Sequence, residues 1–249
     1  MNIVLSIIIS SLAGISTILG SLLIFIKIKK SRVDKFITLC LSFSLSIMIG
    51  ISITDLIPTS FIYLSINKGI YKTIFILIIS LLSGVGIVSI LKRLEYNSKK
   101  DNLYKLGILN MITLMIHNFP EGIATFLSSV NDLNLGIKLS IAIMLHNIPE
   151  GISIAVPIYY STNNKRLAIK NTLISGLSEP LGGIVAYIFL YDHISIELIS
   201  IVLLLVAGIM ISLSINKILP KALEYRCNKY IYLGIIGGII FLSISLLFN

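Results

Sequence analysis

Apolar runs long enough to cross a bilayer follow one another along almost the whole chain, parted by short polar stretches. Met1 to Ile26 carries no charged side chain, and neither does Phe36 to Thr54. A helix needs about 20 apolar residues to span the hydrocarbon core. Eight stretches qualify, at about 2–26, 35–57, 71–91, 104–128, 135–160, 168–190, 195–216 and 229–248. The pattern predicts an all-α integral membrane protein with eight transmembrane helices, forming a single transmembrane domain over 1–249. The first stretch is not expected to be a removable leader, because it lacks a basic start and a small-x-small cleavage site and is too long.

Charge sharpens this picture. The chain is 12% charged, against about 25% for a soluble domain. Its formal charge of +9 invites a nucleic-acid reading, but the distribution argues for a membrane. Lys27, Lys29, Lys30, Arg32 and Lys35 lie between segments 1 and 2, and Lys92, Arg93, Lys99, Lys100 and Lys105 around the 3–4 loop. Lys165, Arg166 and Lys170 fall in the 5–6 connection, and Lys217, Lys221, Arg226 and Lys229 in the 7–8 connection. Only Lys68, Lys72 and Lys138 occupy the other loops, a split of 17 to 3. The positive-inside rule then places the basic loops in the cytoplasm and both termini outside. The remaining role of the basic side chains is contact with lipid headgroups, not nucleic acid.

Cys40 lies in an apolar segment and Cys227 in a loop, so no disulfide and no thiolate metal pair is expected. Serines and glycines stud segments 2 and 3, as close helix packing in lipid requires.

Of the eleven acidic residues, Asp55, Glu121, Glu150 and Glu179 fall within predicted spans. A charge at a helix centre costs ~2.5–3.5 kcal/mol on insertion scales, so Glu121, Glu150 and Glu179 together cost about 8–10 kcal/mol if isolated. They must pair, protonate or hold a cation. Two of them end near-identical motifs, "HNFPEG" from His117 to Gly122 and "HNIPEG" from His146 to Gly151. His117 and Glu121 are four apart on one helical face, with Asn118 three before Glu121. His146, Asn147 and Glu150 repeat the arrangement. Each helix offers an imidazole, an amide oxygen and a carboxylate over about one turn, a donor set suited to a divalent cation such as Zn2+, Fe2+ or Mn2+. Pro120 and Pro149 are expected to bend their helices and free a carbonyl, and Gly122 and Gly151 to admit a neighbouring helix or an ion. Segment 6 adds Glu179 in "SGLSEPLGG", again beside a proline, Pro180. Asp55 precedes a proline near the outer end of segment 2 and reads equally as an interfacial acid or part of a pathway.

On these residues the chain resembles the ZIP (Zrt-, Irt-like) family of divalent metal transporters, most of all its bacterial ZupT-type branch. The resemblance covers nearly the whole chain. It implies uptake of divalent metal ions, zinc and also iron or manganese, across the cell membrane into the cytoplasm. It implies a binuclear site between helices 4 and 5, with His117, Asn118, Glu121, His146, Asn147, Glu150 and Glu179 as metal ligands and Glu121 and Glu150 bridging. It also implies a 3+2+3 inverted repeat, helices 1–3 against 6–8. Two departures stand out. Where the branch carries acids before a Leu-Pro pair in helix 7, this chain has Asn216 and Lys217 in "LSINKILP", and the histidine-rich third loop of many relatives is absent.

The partners so implied are divalent ions and the lipid bilayer; a homodimer is an assembly the reading allows. The metal is cargo, and no cofactor or catalytic residue is expected. The carboxylates of the empty site are expected to hold protons, since like charges raise one another's pKa. Two other classes compete. A membrane-embedded metal hydrolase would also use His and Glu at helical spacing, but the HExxH arrangement is missing and Asn stands where its base would be. A purely structural membrane protein leaves the mid-span carboxylates without a purpose.

Overall fold

The computed structural model describes residues 3–25, 29–96, 103–193 and 195–247, and for some helical positions, His117, His146 and Pro149 among them, the backbone alone. Every regular element among the described residues is helical. The helices are α1 (Ile3–Ser21), α2 (Lys30–Ile51), α3 (Ile57–Lys68), α4 (Ile70–Tyr96), α5 (Leu103–Asn131), α6 (Leu133–Thr162), α7 (Lys165–Gly176), α8 (Ser178–Leu190), α9 (Ile196–Leu213), α10 (Leu219–Glu224) and α11 (Asn228–Leu247).

Among the described residues, six helical stretches are long and apolar enough to cross a membrane: Ile3–Phe25, Ser31–Lys68, Ile70–Ile90, Leu133–Thr162, Lys165–Leu190 and Glu197–Glu224. Asn228–Ser243 is apolar but shorter, and α5, which holds the expected fourth crossing, is 29 residues long. The chain is therefore a multi-pass membrane protein. α1 shows the logic of its solvent. Val4, Ile8, Leu12, Ile15 and Leu19 are exposed on one face, while Ser6, Ser10, Ala13, Gly14 and Thr17 are buried on the other. A helix bathed in lipid turns its large apolar side chains outward and packs through its small ones.

Two further prolines, outside the motifs, shape their helices in another way. Pro58 and Pro220 cannot donate to the preceding turn, and their rings crowd it. The chain answers by widening: Ser52–Leu56 and Ser214–Ile218 are π turns. The amides of Ile57 and Leu219 reach back five residues, to the carbonyls of Ser52 and Ser214. Such bulges absorb a residue without ending the helix. At Pro120 the helix also continues, since α5 runs unbroken through it. Among the described residues, segment 6 is interrupted at Leu177, three residues before Pro180. Pro180 thus falls in the first turn of α8, where a missing amide hydrogen is harmless.

α5 and α6 are joined by Asp132 alone, whose carboxylate accepts from the amides of Asn134 at 2.9 Å and Leu135 at 3.4 Å. This N-cap satisfies two of the four orphan donors of α6. Asn164 caps α7 through the amide of Leu167, and Gly69, with φ +75°, turns the chain between α3 and α4.

The chain divides into two compact units. The first is Met1–Ile26 with Ile90–Val202, and the second is Lys27–Ser89 with Leu203–Asn249. In the first, α1 lies nearly backbone to backbone on α6: a Cβ at Gly20 would stand 1.9 Å from the carbonyl oxygen of Ile148. A buried apolar cluster of Ile24, Leu114, Ile154, Ala155, Ile158 and Ala168 closes one end of this packing. In the second unit α11 packs on α2, with Phe241 edge-on to Phe43. The two π turns of this unit are tied reciprocally: the Ser52 hydroxyl lies 3.9 Å from the sulfur of Met210, and that of Ser214 lies 3.7 Å from the sulfur of Met48.

Candidate metal site

Three helices of the first unit bring the mid-span polar residues together: α5 contributes Asn118 and Glu121, α6 contributes Asn147 and Glu150, and α8 contributes Glu179. All five side chains are buried. The backbone sets their meeting point. A Cβ at Gly122 would lie 2.0 Å from the carbonyl oxygen of Glu179, and one at Gly182 would lie 2.2 Å from that of Phe119. α5 and α8 therefore touch through glycine at the level of the first motif. The last glycine of the second motif, Gly151, does the same toward α1, where a Cβ would meet the Thr17 carbonyl oxygen at 1.9 Å. Both motif glycines thus serve a neighbouring helix.

Asn147 is oriented by two acceptors. Its Nδ2 donates to the carbonyl oxygen of Ala13 at 3.0 Å and to Oε1 of Glu179. Both amide hydrogens face oxygens that only accept, which fixes which way the amide points. Its Oδ1 has no hydrogen-bond partner, and neither do Oε2 of Glu179 and both polar atoms of Asn118. The carboxyls of Glu121 and Glu150 both lie within electrostatic range of Glu179. The hydroxyl of Ser10 on α1 donates to the Glu179 backbone carbonyl at 3.2 Å, tying the start of α8 to α1.

A buried polar atom without a partner costs about 1–3 kcal/mol, and native interiors hold few of them. Here Asn118, Oδ1 of Asn147 and Oε2 of Glu179 fall in the candidate site, while Ser42, Ser44 and Ser60 lie in the second unit. Chemically the arrangement offers oxygen donors to a hard or borderline cation. Among the described residues, no three His, Cys, Asp or Glu side chains are drawn together tightly enough to hold a metal ion by themselves. The amide oxygens of Asn118 and Asn147 belong to the donor set, and the side chains of His117 and His146 lie outside the described residues.

Sequence reasoning passed over Ala13. Its contribution is a backbone carbonyl, and no side-chain pattern announces one. The other residues singled out lie in the second unit: Asp55 accepts from the hydroxyl of Thr59 at 3.2 Å, Asn216 donates to Ser212 at 3.2 Å, and Lys217 is half-buried in the second π turn.

The family model for ZIP Zinc transporter matches residues 92–246, which include all three motifs. The chain belongs to the ZIP family. Its similarity to curated ZIP relatives extends over nearly its full length. It is 34% identical over 254 residues to "Zinc transporter ZupT" of Streptococcus mutans, covering 96% of each chain. The protein of that name from Lysinibacillus sphaericus is 36% identical over 264 residues, covering 98% of this chain and 97% of the relative. That from Clostridium perfringens is 33% identical over 276 residues, covering 99% and 96%. ZIP membership makes the chain a transporter and removes the hydrolase reading.

Proposed function

We propose that this ZIP protein carries Zn2+, and with lower selectivity Fe2+ and Mn2+, across the cell membrane into the cytoplasm. His117, Asn118, Glu121, His146, Asn147, Glu150 and Glu179 exchange places with the water shell of the ion. Glu121 and Glu150 bridge two metal positions. The observation that carries this reading is the gathering of buried Asn and Glu side chains from three helices, with Oδ1 of Asn118, Oδ1 of Asn147 and Oε2 of Glu179 left without hydrogen bonds. A desolvated carboxylate group of this kind is stable only when protonated or when it faces a cation. Proton release on metal arrival follows, because ligands must deprotonate to bind. The names of the curated relatives favour zinc as the cargo.

The alternation of basic loops supports eight crossings with both termini outside. The twin sequences "SITDLIP" and "SINKILP", each forming a π turn with a serine reaching the other's methionine, support an inverted repeat. The test is zinc uptake into liposomes containing the purified chain. Glu150→Ala is expected to abolish uptake while inserting normally. Native uptake by Glu150→Ala would remove the site assignment.

A further inference from the structure

Buried hydroxyls in this protein are mostly spoken for. Ser16, Thr17, Ser52, Ser129, Thr172 and Ser178 each fold back onto a carbonyl three or four residues earlier in the chain. Among the described residues six do not: Ser42, Ser44 and Ser60 in the second unit, Ser175 on α7, and the pair Thr125 and Ser128 on α5. The α5 pair is fully buried, and neither hydroxyl has a hydrogen-bond partner.

Their position gives this meaning. At about 100° per residue, Leu114, Asn118, Glu121, Thr125 and Ser128 fall within a strip about 80° wide on α5. Leu114 belongs to the apolar cluster that closes one end. Beyond it the strip turns polar and stays so for three turns, from Asn118 to Ser128, three residues short of the end of α5 at Asn131. The face of α5 is thus sealed on one side of the carboxyls and lined with unengaged oxygens on the other, toward the α5–α6 turn. Neighbouring hydroxyls do not compete for this role: Ser129 donates to the Thr125 carbonyl and Ser140 to that of Ile9.

We propose that Thr125 and Ser128 form a hydroxyl relay for the partly hydrated divalent cation, between the α5–α6 turn and the carboxyl site. The proposal rests on the transport reading above. A hydroxyl can accept from a metal-bound water or offer a lone pair to the ion itself. Two such groups at successive turns replace part of the hydration shell before the carboxylates complete the exchange. They bind more weakly than a carboxylate, so an ion passes them without being trapped. The final site holds the ion at equilibrium, and the relay governs how fast it arrives.

The test uses the full chain in two formats, zinc uptake into indicator-loaded liposomes and equilibrium zinc binding in detergent. The double variant Thr125→Val, Ser128→Ala removes both hydroxyls at nearly constant shape. It is expected to lower the initial uptake rate roughly tenfold, the size of one or two lost hydrogen bonds. Its equilibrium affinity is expected to stay within about twofold of native. The pair Thr125→Ser, Ser128→Thr keeps both hydroxyls and is expected to recover the rate, which a packing role would not allow. Native uptake by the double variant, with Glu150→Ala inactive, overturns the relay and leaves the transport reading standing. Loss of rate and affinity in equal measure also overturns it, since the hydroxyls would then belong to the binding site itself. Native uptake by Glu150→Ala removes the transport reading, and the relay with it.

Discussion

Gly122 is where the geometry of the site meets the packing of the fold, and Gly122→Ala is the sharpest perturbation available. The added Cβ would sit 2.0 Å from the carbonyl oxygen of Glu179 and 2.7 Å from its Cα. Ordinary contact begins at 3.4 Å, so α8 must retreat by about 1.4 Å at that point. Backbone is on the receiving side, and no rotamer change relieves it. Overpacking of this kind costs about 1–3 kcal/mol. The functional effect is expected to be larger than the structural one. Ligand positions around a bound metal tolerate about 0.2 Å, and Glu179 would move by several times that relative to Glu121. Zinc affinity is expected to fall roughly a hundredfold, or about 2.8 kcal/mol. Titration calorimetry on the detergent-purified protein reads the affinity, and thermal unfolding reads the packing cost. Gly86→Ala in α4 is the control, because no atom lies within 4 Å of its Cβ position. It is expected to be neutral, or stabilising by up to about 1 kcal/mol through helix propensity. Native affinity and native stability in Gly122→Ala would show that the α5–α8 contact does not hold Glu179 in register, and the reasoning would fail.

Three further outcomes are expected. Asn147→Leu leaves Oε1 of Glu179 without its donor, while the Ala13 carbonyl keeps the Ser16 hydroxyl; at about 1–3 kcal/mol for a buried orphan, metal-free protein should lose about 1–3 kcal/mol in thermal unfolding. Ser52→Ala removes a 2.8 Å bond to the Met48 carbonyl and the contact with Met210 in the second unit; it should cost about 1 kcal/mol and leave equilibrium zinc affinity unchanged in calorimetry. Tyr225, just beyond α10, has its phenol pKa raised above 10.0 by burial first, then by Asp34 and Glu224. A raised folded value means its stabilising contribution is complete below pH 10.0 and fades as pH rises through the higher folded value. Tyr225→Phe should therefore match native stability at neutral pH and resist alkaline unfolding better.

Much of the candidate site was legible because charge at bilayer depth is costly. Glu121, Glu150 and Glu179 stood out against apolar surroundings, and the structure gathers them with Asn118 and Asn147 in one unit. The segment pattern gave the helical architecture and most of the crossings by composition alone. Other features left no such mark. Pro58 and Pro220 predict a disturbance, but whether a helix kinks or widens into a π turn depends on what packs around it, here the reciprocal Ser52–Met210 and Ser214–Met48 contacts. The break at Leu177 follows from Pro180 joining the first turn of α8, a choice between two local solutions that sequence does not make. Gly122 and Gly151 read equally well as room for an ion or for a helix, and only the approach of Glu179 and Thr17 decides for the helix. Thr125 and Ser128 were invisible for a related reason: a serine or threonine in a transmembrane helix is ordinarily a packing residue bonded to its own backbone. What separates these two is a missing bond on the same strip of α5 that carries Asn118 and Glu121; Ser42, Ser44, Ser60 and Ser175 also lack a partner but lie on other helices.

The central claim is that buried carboxylates, amides and imidazoles take over the hydration shell of a divalent ion. Zinc K-edge X-ray absorption of the purified, zinc-loaded protein tests it most directly. The account requires a first shell of oxygen and nitrogen at about 2.0–2.2 Å with no sulfur at about 2.3 Å, and loss of the bound-zinc signal in Glu150→Ala. A sulfur shell, or a spectrum unchanged in Glu150→Ala, would contradict it.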